Sequence, residues 1–374
     1  MYQKIVKPVL FKFDPEFVHD ATALFGIALG SNPITRGLLS GIYRYEHPML
    51  LQTIHGITFK NPVGLAAGFD KDCRLMKVLP AMGFGFEEVG SITAEPYSGN
   101  PEPRLVRLPK DQSIIVYYGL KNKGAKVVRK IFLTSRGERR RFAIPIGISV
   151  AKTNKHFASP RAKISDWVRG VRLMRACGDY LTINVSCPNT YDPQNFCDPD
   201  LLAALLVGIK HAWLTFDKPV FLKLSADITN EELDRIIATC DQHPFIKGFV
   251  LTNLVKDRTK LKLKSPKSLY EKLKGGLSGK VVTPFSRALV RHAYEIAGDR
   301  YTIIACGGIF TAEDAYEYIK DGASLVQLIT GMVYGGPGTV KRINKGLVRL
   351  LKRDGYKSVV QAVGANIRKR RKNA

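Results

Sequence analysis

Between residues 63 and 329 the chain repeats one unit eight times, a short apolar run followed in most cases by an amphipathic helical segment. The runs span 63–67, 86–91, 143–150, 180–186, 219–224, 248–252, 302–306 and 324–329. Nearly continuous apolar strands alternating with helices predict a parallel sheet covered on both faces. Eight such units predict a closed (β/α)8 barrel. A doubly wound open sheet is the weaker reading, because no GxGxxG follows the first run. Two capping boxes, Thr229 with Glu232 and Thr311 with Asp314, set helix starts. The chain has 374 residues, 45% of them hydrophobic, enough for one barrel with extensions. It divides into an N-terminal helical extension (1–45), the barrel (46–355) and a basic C-terminal tail (356–374).

In such barrels chemistry sits where the strands end. Those ends carry Ala66, Ala67 and Gly68 with Lys71 beyond, then Gly90 and Ser91, then Ser149 with Lys152 beyond. The fourth run, "LTINVSCPNTYD", brings Asn184, Ser186, Cys187 and Asn189. Later ends bring Lys223, Thr252 and Asn253, then Gly307–Gly308, then Thr330–Gly331. Glycines at the seventh and eighth ends suit a phosphate site, and "GGLSG", with Gly279, adds a close-approach loop. Lys223, in mid-strand, needs a charged partner, and a reduced flavin is one candidate. Cys187 has three readings: a core thiol, a nucleophile, or a general base. No histidine at a strand end activates it as a nucleophile. A thiol pKa of about 8.5 suits a base once the loop or a nearby lysine lowers it. The six cysteines show no metal-ligand spacing and are read as reduced thiols.

The formal net charge of +26 implies attraction to anionic surfaces, lipid or nucleic acid. No apolar run is long enough to span a membrane. The N-terminal segment reads as two short helices, the second capped by Asp14–Pro15 and ending near Gly30. Its stripe of Phe17, Ala21, Leu24, Phe25 and Ala28 fits ordinary packing on the body or a membrane-surface helix, with Lys4, Lys7 and Lys12 beside it. Three basic stretches, "SRGERRR", "KDRTKLKLKSPKSLYEKLK" and "RKRRK", read as solvated faces or a frayed tail. The alternative is electrostatic membrane attachment, or a lid in the case of the second stretch.

Taken together, "FKNPVGLAAGFDKD", "AMGFG", "EEVGSIT", "PRLVRLP", "NVSCPNT", "GGLSG", "CGGI" and "DGASLVQLITG" resemble, in order, the dihydroorotate dehydrogenases, FMN enzymes of pyrimidine (UMP) biosynthesis. "FDPEFVH" is similar to the membrane-associated, quinone-dependent class, whose N-terminal helices form a tunnel to the flavin. The resemblance implies that Ala66, Ala67, Gly68, Lys71, Gly90, Ser91, Ser149, Asn184, Lys223, Thr252, Gly279, Gly308, Thr330 and Gly331 hold FMN. It implies that Lys71, Asn184, Asn189 and Asn253 hold dihydroorotate or orotate, that Cys187 is the base, and that His19 and Arg107 line the quinone tunnel. It also implies peripheral attachment to the cytoplasmic side of an anionic membrane, the protein being otherwise cytoplasmic. Nucleic acid is not an expected partner.

Five positions depart from the family pattern. Cysteine replaces the serine base of the membrane-associated class. Val116 stands for a substrate-binding asparagine, Leu254 for a hydroxyl residue, Ser149 for a flavin-contacting asparagine, and Ile329 for a tyrosine near the flavin phosphate. The chain therefore admits two alternatives. One is an FMN enzyme for another pyrimidine or ene substrate. The other is a non-catalytic flavin barrel that binds anionic polymers, whose mark is strongly salt-dependent binding without turnover.

Overall fold

The computed structural model describes residues 2–137, 142–187, 189–191, 198–213 and 218–373. "SRGERRR" runs into residues outside this set, as do Pro188, Asp192 and Cys197. Eight strands close a barrel: β1 (Val63–Leu65), β2 (Phe86–Ile92), β3 (Ile146–Val150), β4 (Tyr180–Asn184), β5 (Val220–Leu224), β6 (Ile246–Leu251), β7 (Thr302–Cys306) and β8 (Leu325–Leu328). Each pairs in parallel with its sequence neighbours, and β8 returns to β1. Both predicted capping boxes form, at Thr229 and Thr311. The predicted runs reach past several strand ends, because residues such as Ala66 and Ser186 already belong to the rim loops.

Successive inward positions two residues apart explain the barrel's inner layers. The floor is apolar: Phe86, Tyr180, Phe221, Ile304 and Leu325 form one buried cluster with Phe59. Gly64 and Gly147 make room for it. A Cβ on Gly64 would lie 2.3 Å from the Phe86 ring, and one on Gly147 would lie 2.1 Å from Tyr180. Two residues further along each strand the lining turns polar, with Glu88, Thr182, Lys223 and Gln327 all buried. Phe59, from the hairpin Gln52–Ile54 and Ile57–Phe59, plugs the floor edge-on to Phe86. The chemistry is thereby confined to the open end.

Two features differ from the sequence expectation there. "GGLSG" is a strand, not a loop: Gly276–Gly279 pairs antiparallel with Ser113–Val116, which pairs with Leu105–Leu108. The close approach is real, since a Cβ on Gly279, at φ +102°, would meet the Gln112 carbonyl at 2.4 Å. The basic segment 256–274 covers this small sheet, with Leu261, Leu263, Tyr270 and Leu273 packed on Leu108, Ile115 and Leu277. The buried Asp111 carboxylate anchors it by accepting from the Lys264 and Ser265 amides.

The N-terminal extension contains two long helices, α1 (Pro15–Ser31) and α2 (Pro33–Tyr43), after a short helical lead over residues 2–10. Asp14 caps α1 as expected, accepting from the Glu16 and Phe17 amides. The stripe does not pack on the body. Phe17, Leu24 and Phe25 are 63%, 56% and 66% exposed, and Ile34, Leu38 and Ile42 of α2 also face outward. The body instead meets small residues: Cβ atoms on Gly26 and Gly30 would lie 3.2 and 3.0 Å from Leu75 and Val78. At the other terminus the expected frayed tail is helical over Val359–Ala362 and Ala365–Asn373, with Val359, Ala362 and Ile367 buried.

Candidate active site at the barrel mouth

One cavity of about 720 Å³ runs from the polar layer of the barrel to the underside of α1 and α2. Of the strand-end and site residues singled out from the sequence, all line it except Ser149, Lys152 and Ser186. Ser149 is fully buried one layer behind, its hydroxyl 2.8 Å from that of Ser91. Ser149 therefore meets the cavity through Ser91, which lines it.

Cys187 follows β4 and is half-buried at the cavity wall. A relay of side chains fixes the strand end below it. Asn253 donates to the Ser186 hydroxyl at 3.0 Å, Ser186 donates to Asn184 Oδ1 at 2.8 Å, and Asn184 Nδ2 donates to Ser91 at 2.7 Å. The Asn189 amide donates to the Val116 carbonyl at 2.9 Å. The Asn253 amide also reaches the Ser186 carbonyl, at 3.4 Å. Burial pushes the Cys187 thiol up to about 11, while the Asn189 amide and the Lys152 ammonium pull it down. Lys152 is buried beyond β3.

Lys71 stands on the loop after β1. Its Nζ lies 3.4 Å from the centroid of the buried Tyr118 ring. Burial, then repulsion from Lys121, lowers its pKa to about 8. That loop is held by Asp70, which accepts from the Arg74 and Leu75 amides at 2.9 and 2.7 Å. Glu87, on the outward face of β2, is fully buried against Asp70, and burial, with Asp70 beside it, pushes its carboxyl well above the usual carboxylate range.

Lys223 has a protein partner that sequence reading missed. The Glu88 carboxylate is 3.8 Å from its Nζ and also accepts from Thr182 and Gln327, each at 3.0 Å. The signal was present: two consecutive glutamates inside an otherwise apolar strand place one of them inside the barrel. Cys306, at the end of β7, lines the same region, its thiol raised by burial.

Towards the helices the cavity becomes apolar, walled by Val6, Leu10, Val18, Phe25, Leu29 and Leu39. Its polar residues include His19 and Arg107, with Tyr2, Thr22 and Tyr43. His19 Nε2 is 3.1 Å from the Phe69 carbonyl, and burial followed by the nearby Lys71 lowers its pKa, so the ring is neutral near pH 7. Arg107 lies over the Phe11 ring at 4.6 Å and donates to the Phe13 carbonyl. Glu16 of α1 receives Arg104 at 2.8 Å and Lys121 at 2.7 Å, fastening the helix to the barrel mouth.

Comparison with known proteins agrees with this geometry. The dihydroorotate dehydrogenase family model matches residues 49–351. A protein of Roseiflexus castenholzii named dihydroorotate dehydrogenase (quinone) is 34% identical over 98% of this chain and 97% of its own length. One of the same name from Acidithiobacillus ferrooxidans is 38% identical over 96% and 98%. The ligand-free DHODH of Eimeria tenella superposes with a TM-score of 0.83 at 31% identity, covering 94% of this chain and 99% of that one. With matches of this extent across barrel and helices alike, the chain belongs to the dihydroorotate dehydrogenase family.

Proposed function

We propose that the protein oxidises dihydroorotate to orotate with FMN as its cofactor and passes the electrons to a quinone. The observation that carries this reading is the continuous cavity joining Cys187, the asparagines and Lys223 to an apolar passage under α1 and α2. A flavin fits the mouth. Gly68, at φ +115°, presents a face where a Cβ would meet only Ile329 at 3.7 Å, and Lys223 and Thr330 line the wall around it. The residues proposed to hold FMN are those named from the sequence, with Ser149 acting through Ser91.

When bound, FMN supplies the two-electron acceptor for a hydride from the substrate's C6. The chain's own residues do the rest. Asn184, Asn189 and Asn253 present their side-chain amides to the pyrimidine ring. The Lys71 ammonium neutralises the substrate carboxylate. Cys187, as thiolate, takes the C5 proton, and the fixed strand end keeps its sulfur over that carbon. The passage between His19 and Arg107 admits a quinone headgroup, and its apolar walls exclude water.

Anaerobic mixing of the yellow holoenzyme with dihydroorotate tests this: the flavin should bleach and recolour when a soluble quinone is added. No bleaching with dihydroorotate, but bleaching with another dihydropyrimidine, would transfer the reading to that substrate. Removing residues 1–40 should abolish quinone reduction and spare flavin bleaching. Unchanged quinone reduction would place the acceptor elsewhere.

Membrane association is proposed to be peripheral. No helix among the described residues is long and apolar enough to cross a membrane. The outward Phe17, Leu24, Phe25, Ile34, Leu38 and Ile42 would enter a lipid surface, with the lysines of residues 256–274 near anionic headgroups. Binding to vesicles containing anionic lipid should fall as salt rises.

A further inference from the structure

The loop carrying Cys187 and Asn189 is gripped by two asparagines that line no part of the cavity. Asn100 ends the turn before the small sheet, and Asn154 follows β3; both are only 3% exposed. Asn100 Nδ2 donates to the Asn189 carbonyl at 3.0 Å. Asn154 Oδ1 accepts from the Tyr191 amide at 2.8 Å. The backbone is thus held on both sides of Thr190. The asparagines also hold each other, Asn154 Nδ2 donating to Asn100 Oδ1 at 3.3 Å and to the Gly119 carbonyl at 3.0 Å. The Tyr97 hydroxyl donates to the same Asn100 oxygen at 2.7 Å. Gly119 is required for this approach: a Cβ there would lie 2.3 Å from Asn100 Oδ1.

The two amides are spread over four backbone segments and use both their donors and their acceptors. Buried amides are satisfied somewhere in any fold. Here the partners are specifically the backbone of the residues following the proposed base. They also tie that loop to residue 119, next to Tyr118, whose ring carries Lys71, while Asn189 itself bonds to Val116. Loops are the mobile parts of a barrel rim, and a base misplaced by about 1 Å loses about a hundredfold in rate.

We propose that Asn100 and Asn154 are positioning residues of the reaction, a clasp that sets the height of Cys187 and Asn189 over the substrate ring. This rests on Cys187 acting as the base. The clasp touches no reacting atom; it acts through the loop backbone.

The test uses the FMN-loaded holoenzyme with Asn154→Ala and Asn100→Ala, and Tyr97→Phe as the mildest probe, since it removes only the hydroxyl that meets Asn100 and Tyr191. Two quantities are read: the rate of flavin reduction at saturating dihydroorotate, and the alkylation rate of Cys187 by iodoacetamide against pH, followed by peptide mass. Each alanine variant should reduce flavin about 10–100-fold more slowly. Cys187 should alkylate several-fold faster in both, and Cys306 in the same sample at its wild-type rate. Tyr97→Phe should move both in the same direction by less. Wild-type values of both quantities in the alanine variants would overturn the clasp. So would slow reduction with unchanged Cys187 alkylation. A misfolded alanine variant leaves the decision to Tyr97→Phe by the same criteria. If Cys187→Ala reduces flavin like wild type, the base assignment fails instead, and the alkylation rates still report whether the loop is held.

Discussion

Lys223 Nζ lies 3.8 Å from the Glu88 carboxylate, and both side chains are buried within the barrel, at 3% and 0% exposure. A flavin is therefore not the only charge that Lys223 answers; the lysine is already compensated before any ligand arrives. Removing one member of a buried pair leaves the other uncompensated, at a cost of about 3–5 kcal/mol. Lys223→Ala should accordingly lower both stability in urea unfolding and flavin affinity, because Glu88 then repels the electron-rich reduced ring. Adding Glu88→Gln should recover a large part of both. A double variant no better than Lys223→Ala would mean that the lysine's role is wholly direct.

The barrel was legible because its signal is redundant. Eight apolar runs, two capping boxes and polar residues gathered at strand ends all require the same topology. The site was legible where a residue type is costly in its place, as with Lys223, or where a strand ends in polar groups, as at Asn184 and Cys187. What was not legible depends on partners distant in sequence. Glu88 meets Lys223 across 135 positions, a separation no local pattern reports. The outward stripe of α1 has the same periodicity whichever way it faces. Only Gly26 and Gly30, on the opposite side, tell which face meets the body, and their signal is the absence of a side chain. Strand pairing at Gly276–Gly279 escaped notice because glycine carries no strand propensity of its own.

Lys71 gives the reaction a pH limit on the alkaline side. Its pKa is lowered to about 8, first by burial and then by Lys121. The ammonium is present below that value and is lost as pH rises through it. Orotate, a carboxylate, should therefore bind progressively more weakly above about pH 8, by up to tenfold per unit. Lys121→Met should move the break upward by removing the repelling charge. Titrating the flavin spectrum with orotate across this range measures both. A break unmoved by Lys121→Met would assign the shift to burial alone.

Cys187 imposes the opposite slope. Burial raises its thiol to about 11, against the pull of Lys152. Only the thiolate takes a proton, so flavin reduction should quicken with pH until that value is approached, wherever Lys71 is kept saturated by substrate. Lys152→Met should move the profile further upward and slow reduction near neutrality. Cys187→Ala should retain FMN and slow reduction by about 10²–10⁴, the usual contribution of a positioned base. Wild-type reduction in the alanine variant would give the proton to another group.

Val116 decides the substrate question. Its side chain lines the cavity, and its carbonyl receives the Asn189 amide at 2.9 Å. In the resemblance this position holds an asparagine that donates to the ring, which valine cannot do. The backbone here is fixed on both edges, by Leu105 and Gly276, so an asparagine would enter the cavity from a settled position. If dihydroorotate is the substrate, Val116→Asn restores one hydrogen bond, worth about 0.5–1.5 kcal/mol or up to about tenfold in affinity. If the site has been rebuilt for another ring, the same amide is buried without a partner and binding of the true substrate weakens. Asn184, Asn189 and Asn253 all line the cavity, and so does Lys71. The expected outcome is therefore tighter dihydroorotate binding in Val116→Asn, read as a lower dissociation constant in anaerobic flavin titration. A higher constant for dihydroorotate would reject it as the ring for which this pocket is shaped.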